Sequence, residues 1–261
     1  MSKIKNAFSN GKAFIGFLTA GDPSIEKTEE YILEMVKGGA DLIEIGIPFS
    51  DPIAEGRVIQ EANIRALNAG TTTDKIFDMV ESVREKTEVP LVFLTYLNPV
   101  FKYGYERFLN RCREVGIDGL VIPDMPYEEK GEIQPIAAAN DVDIISLIAP
   151  TSEGRIKEIA SHATGFIYVV SSMGVTGVRS EIKTDLNHII QMVKEATDTP
   201  VAIGFGIAEP EQADKYSQLA DGVIVGSAIV DIIAKYKDVA GELIFEYVKS
   251  MKTAVEKNNI K

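Results

Sequence analysis

The chain has 261 residues, 39 acidic and 27 basic, which gives a net charge of −12. Its 45% hydrophobic and 25% charged residues are typical of a folded globular protein and exclude a disordered one. The acidic surplus argues against nucleic acid or a membrane as partner, and no segment approaches the ~18 apolar residues of a membrane span. One cysteine, Cys112, and two histidines cannot form a disulfide or a Cys/His metal cluster, so we expect no metal site and a reducing, cytoplasmic location.

Eight short apolar segments alternate with amphipathic segments along the chain, after a short N-terminal helix. The segments predicted as strands are 13–20, 41–47, 91–96, 119–124, 143–149, 166–171, 201–206 and 222–228. The segments predicted as helices include 24–37, 73–86, 105–115, 152–161, 181–196 and 209–218. The strand segments are apolar throughout, which indicates strands buried on both faces, as in a parallel sheet.

The spacing of these units predicts an α/β fold, the (β/α)8 TIM barrel. Successive strand segments lie about 30 residues apart, the usual length of a βα unit. A doubly wound open sheet is the alternative, but the first βα turn, 19–24, lacks a GxGxxG pattern and eight parallel strands favour closure. No Pro/Gly/Ser-rich linker divides the chain, so we predict one barrel domain over residues 1–261, with extended loops after strands 2 and 6.

Glycine-rich sequences follow the last three strand segments, where a barrel carries its active site. Barrels frequently bind phosphate through backbone N–H groups of the last two loops and the N-terminus of a short extra helix. Gly177, Gly206 and Gly226 are predicted to let the backbone approach phosphate oxygens, and the Ser227 hydroxyl adds a donor. The alternative interpretation is that these glycines only form tight turns.

Glu44 is the first candidate for acid/base chemistry, because it interrupts an otherwise apolar strand segment. A buried carboxylate is costly without a partner or a task, and an apolar setting raises its pKa into the range useful for proton transfer. A structural ion pair is the alternative. Glu55, in the long loop 48–56 after the same segment, is the second candidate, whereas Asp51 in that loop suits a turn equally well.

The absence of other reactive groups narrows the chemistry. None of the eight strand segments contains a lysine for a Schiff base, and His162 and His188 lie in helical segments. The sequence therefore favours carboxylate acid/base chemistry on a phosphorylated substrate, without metal or covalent intermediate.

Seven motifs together resemble the tryptophan synthase α chain family, in the family's order and over essentially the whole chain. They are FLTAGDP (17–23), EIGIPFSDPIAEG (44–56), LTYLNP (94–99), DMPYEE (124–129), GVTG (174–177), GFGI (204–207) and GSAIV (226–230).

The resemblance implies a lyase that cleaves indole-3-glycerol phosphate to indole and glyceraldehyde 3-phosphate. It implies no cofactor in this chain and a partner β chain that carries pyridoxal phosphate and receives the indole. Glu44 and Glu55 match the catalytic carboxylates. The matching substrate-binding positions are Phe17, Leu94, Tyr168, Thr176, Gly177, Gly206, Gly226 and Ser227. Asp51 and Asn98 match positions of β-chain contact.

Two departures from the family pattern leave alternatives open. Glu55 stands where the family has aspartate, and Arg57 stands where it has proline. Arg57 could hold Glu55 ionised or draw it out of the site. The second hypothesis is therefore a weakly active or inactive barrel that serves as allosteric partner of the β chain. A third is an isomerase of open-chain sugar phosphates that uses the same two carboxylates.

Overall fold

Eight parallel strands form a closed barrel, in which each strand pairs with the next in sequence and the last pairs with the first. The computed structural model describes residues 3–170, 186–204 and 206–257. The strands are β1 Ala13–Thr19, β2 Leu42–Gly46, β3 Leu91–Leu94, β4 Gly119–Val121, β5 Asp143–Ile148, β6 Ile167–Val170, β7 Val201–Gly204 and β8 Gly222–Val225. The TIM barrel prediction is confirmed. All eight strands lie within their predicted segments and end one to three residues early, because the chain leaves the sheet at the mouth of the barrel.

The helices surround the barrel and, within the described residues, include several that the periodicity did not predict. The α-helices are α1 Ile25–Lys37, α2 Arg57–Asn68, α3 Thr73–Arg84, α4 Leu97–Tyr103, α5 Tyr105–Val115, α6 Gln134–Ala139, α7 Ile156–Ser161, α8 Leu186–Ala196, α9 Pro210–Ser217, α10 Ser227–Tyr236 and α11 Gly241–Glu256. Turns of 3-10 helix occupy Ile4–Phe8, Tyr127–Glu132, Pro150–Arg155 and Lys237–Val239. The predicted short N-terminal helix is thus a 3-10 helix, and the predicted helix 152–161 divides into a 3-10 turn and α7.

Side chains inside the barrel alternate with side chains that face the helices. Ile15, Leu42 and Val92 belong to the apolar cluster inside the barrel, whereas Phe14 and Ile43 pack in the larger cluster between strands and helices. Every residue of β1 and β2 is buried, as both faces of these strands are covered. The alternation turns Glu44, two residues after Leu42, toward the interior.

The N-terminal 3-10 turn closes the lower end of the barrel. Ile4 is fully buried among the interior side chains, and the rings of Phe8 and Phe166 lie 6.0 Å apart. The Lys3 N–H donates to the Asp118 carboxylate at 2.8 Å. These contacts cover the lower end of the interior, opposite the carboxyl ends of the strands.

Helix α2 lies against the mouth beside β1. Ile59 and Ala62 pack on Phe17 of β1 and on Val230 of α10. An ion pair fixes the same helix to the loop after β1, since the Arg65 guanidinium donates to both oxygens of the buried Asp22 carboxylate at 2.8 and 2.7 Å. This bidentate pair and the apolar contacts hold α2 in one place over the barrel.

No helix in the described part of the chain has the length and apolar character needed to cross a bilayer.

Candidate active site

The Glu44 side chain lies in the barrel interior. One oxygen of its carboxyl group has no hydrogen-bond partner among the described residues. The side chain is 1% exposed, and the oxygen without a partner is Oε1. Burial raises the pKa of Glu44 to about 8, and repulsion from the Glu55 carboxylate adds to the effect. Glu44 is thus a protonated acid at neutral pH, and the described residues provide no ion pair to support the structural alternative.

Glu55 reaches the same site from the loop between β2 and α2. The Asn63 side-chain amide donates to Glu55 Oε2 at 2.6 Å. The Tyr96 hydroxyl also favours the charged form of the carboxylate, and it accepts a hydrogen bond from the Ala54 N–H at 3.1 Å. Burial outweighs both contacts and raises the pKa of Glu55 to about 7. The Glu55 carboxylate therefore exchanges its proton near neutral pH.

Arg57 does not contact Glu55, which decides a question that the sequence left open. The Arg57 guanidinium donates to Glu61 one helical turn later, at 2.6 Å, and its side chain is 85% exposed. The Arg57 cation is therefore paired with Glu61 and exposed to solvent. It neither neutralises the Glu55 carboxylate nor draws it out of the site.

Apolar side chains line the interior around the two carboxylates. Phe17 pairs in register with Glu44 on the neighbouring strand, and Leu94 packs against the same interior cluster while remaining partly exposed. Tyr168 is buried near Glu44. Its burial, and secondly the charge of Glu44, raise the pKa of the Tyr168 hydroxyl well above the usual value. The three residues that the sequence matched to an indole pocket are therefore brought together.

Gly204 allows the Tyr168 ring to lie against the β7 backbone. A Cβ at position 204 overlaps the ring and hydroxyl of Tyr168. We expect Gly204→Ala to displace the ring, to destabilise the fold by about 1–3 kcal/mol and to lower kcat/KM for the substrate about tenfold. Steady-state kinetics and urea denaturation measure both effects. The control is Gly131→Ala, where a Cβ meets no neighbour; equal effects in the two variants would refute this account of Gly204.

The side of the mouth formed by β7 and β8 offers backbone donors. Helix α10 begins at Ser227, with Gly226 before it, no capping side chain and no acidic residue in its first turn. Its first N–H groups are thus available to an anion. Gly206 has a φ of +78°, which favours glycine, and a Cβ there meets open space. The predicted Thr176 and Gly177 lie outside the described residues.

The loop after β7 is held from behind by side chains that the sequence analysis did not select. The Tyr247 hydroxyl donates to the Ala208 carbonyl at 2.7 Å, and the Gln212 side chain accepts from the N–H groups of Ala208 and Glu209 at 2.8 and 3.0 Å. These contacts fix the backbone next to Gly206. The Gln212 contact is readable from the sequence as a capping box before α9.

The two residues matched to partner contact both lie on the surface next to the site. Asp51, in the loop after β2, is exposed, and so is Asn98 near the start of α4. Two large apolar side chains stand near them in the chain, Ile53 at 76% and Phe101 at 67% exposure. Sequence reasoning missed both, because an exposed apolar side chain is indistinguishable from a buried one until the fold is known.

The site has the inventory of an acid/base enzyme. The described residues contain no group of three or more His, Cys, Asp or Glu side chains arranged to hold a metal ion. Two neighbouring carboxyl groups have pKa values of about 8 and about 7. Phe17, in register with Glu44, also lies against Gly226, the residue before α10. The barrel fold and this pair of carboxyl groups are together typical of a TIM-barrel enzyme of the acid/base class.

Comparison with known proteins identifies the family. A sequence model of the tryptophan synthase alpha chain matches residues 3–258. The tryptophan synthase alpha chain of Lacticaseibacillus casei is 53% identical over 256 residues, which cover 98% of this chain and 96% of that one. That of Alkaliphilus metalliredigens is 54% identical over 222 residues, or 85% and 84% of the two chains. The chain therefore belongs to the tryptophan synthase alpha chain family, and it is a lyase of the indole-3-glycerol phosphate cleavage reaction.

Solved structures agree with this assignment. The tryptophan synthase alpha chain from Legionella pneumophila superposes with a TM-score of 0.88 at 31% identity, over 100% of both chains. A tryptophan synthase complex from Pyrococcus furiosus contains a chain with a TM-score of 0.83 and 33% identity, over 93% of this chain and 99% of that one. The similarity extends over the whole barrel.

Proposed function

We propose that Glu44 and Glu55 are the catalytic carboxylates with which this chain cleaves indole-3-glycerol phosphate to indole and glyceraldehyde 3-phosphate. The observation that carries the proposal is the state of Glu44, a protonated acid inside the barrel whose Oε1 has no partner among the described residues. A carboxyl group in this state is available to a reacting atom. Its neighbour Glu55 has the lower pKa of the two and is the first to become an anion.

The reaction requires two proton movements and one stabilised charge. Glu44 donates its proton to indole C3, which makes the ring a cationic electron sink. The resulting Glu44 carboxylate then accepts the proton of the side-chain hydroxyl as the C3–carbon bond breaks, the aldehyde forms and indole leaves. Glu44 thereby regains its proton. The Glu55 carboxylate accepts the hydrogen bond of the indole N–H while positive charge develops there.

The remaining predicted residues position the substrate. Phe17, Leu94 and Tyr168 form the apolar walls for the flat indole ring. The phosphate binds to backbone N–H groups at Gly206, Gly226 and the start of α10, where the Ser227 hydroxyl adds a donor. The helix dipole there provides the positive potential that a chain of net charge −12 does not supply through clustered lysines. Thr176 and Gly177 complete this site in the proposal.

A β chain with pyridoxal phosphate is the proposed partner, and it receives the indole. Asp51 and Asn98 are the polar contacts of the proposed interface, and the exposed Ile53 and Phe101 supply apolar area beside them. Burial of such side chains is a common source of interface stability. We also propose that residues 1–261 form one barrel domain and that the chain acts in the cytoplasm.

An indole release assay tests the proposed function. The chain is incubated with indole-3-glycerol phosphate, with and without a tryptophan synthase β chain, and indole is measured by its fluorescence. We expect turnover in both cases and faster turnover with the β chain. The double variant Glu55→Asp, Arg57→Pro is expected to be no faster than the natural sequence, because Arg57 is paired with Glu61 and does not disturb Glu55.

Two outcomes favour the alternatives. Turnover that rises above background only in the double variant supports a barrel kept as allosteric partner. Binding of glycerol phosphate that indole does not enhance, together with isomerisation of an open-chain sugar phosphate, supports the isomerase.

A further inference from the structure

The Glu55 carboxylate enters the site from the loop between β2 and α2, and a residue of α2 holds it there. The structure provides a short hydrogen bond from the Asn63 amide to Glu55 Oε2, at 2.6 Å. Asn63 is 3% exposed and lies in the second turn of α2. A buried amide that donates to a carboxylate favours the charged form and fixes its orientation.

The position of Asn63 is set by the barrel itself. Its neighbour Ala62 is fully buried against the Phe17 cluster. Two residues later, Arg65 forms the bidentate pair with Asp22 after β1. The Gln60 side chain also donates to the Glu55 carbonyl at 2.8 Å, which ties the loop backbone to the same helix. The Asn63 amide thus has little freedom to follow a carboxylate that moves.

None of the described charged and titratable groups around Glu55 is a cation that stabilises its carboxylate, so this role falls to hydrogen bonds such as that from Asn63. Glu44, on β2, repels a charge on Glu55, and Tyr96, after β3, lies beside it with a hydroxyl whose pKa is raised to about 12. Arg57 is paired with Glu61 instead. Within the described ranges no cation forms an ion pair with Glu55, so hydrogen bonds carry the stabilisation of its carboxylate.

We propose that Asn63 is a positioning residue that holds the Glu55 carboxylate in its orientation in the site, an inference that rests on the function proposed for Glu55. By occupying Oε2, the Asn63 amide directs the other carboxylate oxygen toward the indole N–H. The fit depends on side-chain length, since an aspartate at position 55 falls about one bond length short of the amide. Glu55→Asp is therefore expected to lower kcat/KM about tenfold.

The first test is the pH profile of indole release by Asn63→Leu. The leucine has a similar volume and no donor, so the acidic limb of kcat/KM is expected to move upward by about one pH unit, with a loss of about tenfold at pH 6.5. The matched control is Asn68→Leu, an exposed asparagine at the end of the same helix. If the leucine variant does not fold, Asn63→Ala replaces it. A profile unchanged from the natural chain overturns the proposal.

The second test combines Asn63→Leu with Glu55→Gln. If Asn63 acts through Glu55, its replacement costs little once the carboxylate is absent, and the two losses are far from additive. Fully additive losses overturn the inference and leave the proposed function intact. Full activity of Glu55→Gln alone refutes the role proposed for Glu55, so the two failures are distinguishable.

Discussion

Glu44→Gln is expected to lower the kcat of indole release by about 10³-fold, within the range that a positioned acid/base group supplies. The amide has the same shape and fits the same interior position, but it neither donates a proton to indole C3 nor accepts one from the side-chain hydroxyl. KM is expected to change little, because the apolar walls and the start of α10 are untouched. Single-turnover measurement of indole formation, with the β chain present, determines the loss in the chemical step.

Two controls make the result interpretable. Binding of glycerol phosphate, measured by calorimetry, shows that the variant retains the phosphate site. Glu246→Gln, an exposed glutamate on α11, shows the effect of the same substitution away from the site. Residual activity of Glu44→Gln within tenfold of the natural chain contradicts the role proposed for this carboxyl group.

The same substitution is expected to stabilise the fold, increasingly so as the pH rises. Glu44 has a pKa of about 8 in the folded chain, against the ordinary value of 4.5 for a glutamate. Between these values the folded state holds a proton that the unfolded state has released, so the free energy of unfolding falls as the pH rises, by about 1.4 kcal/mol per pH unit. Glutamine does not titrate, and the variant escapes this loss. From pH 5 to pH 7 its advantage should grow by about 2–3 kcal/mol.

Urea denaturation at several pH values measures this difference. At each pH, the free energy of unfolding of Glu44→Gln is compared with that of the natural chain. Only the change of this difference with pH is informative, because differences in packing are the same at every pH and cancel. Glu246→Gln is the control for the same substitution at an exposed position. A difference that stays constant from pH 5 to pH 8 means that Glu44 has an ordinary pKa in the folded chain, and its assignment as an acid at neutral pH then fails. The residue proposed for catalysis therefore weakens the fold.

The hydrogen bond between Asn63 and Glu55 is a feature that sequence reasoning could not locate. The contact with Glu55 spans eight positions and crosses the junction between a loop and a helix, and its existence depends on the path of the loop. The segment 57–68 was not among the predicted helices, so no face of it was available for analysis. Arg57 illustrates an intermediate case. Its partner Glu61 stands four residues later, a spacing that favours pairing on a helix, but the pairing becomes visible only when the helix is known.

The sequence by itself determined the barrel fold and the unusual position of Glu44 inside a buried strand. Strands buried on both faces leave a continuous apolar pattern, and a glutamate inside such a strand is noticeable because an unpaired buried charge is costly. Only the tertiary structure decided how Glu55 is held, that Arg57 points away from it, and which apolar residues stand exposed beside Asp51. The contacts of Glu55 and Arg57 join residues only eight and four positions apart, but they form only in the folded arrangement of α2 and the loop before it. Their geometry follows from how α2 and the loops pack on the barrel, and local patterning carries no record of that packing.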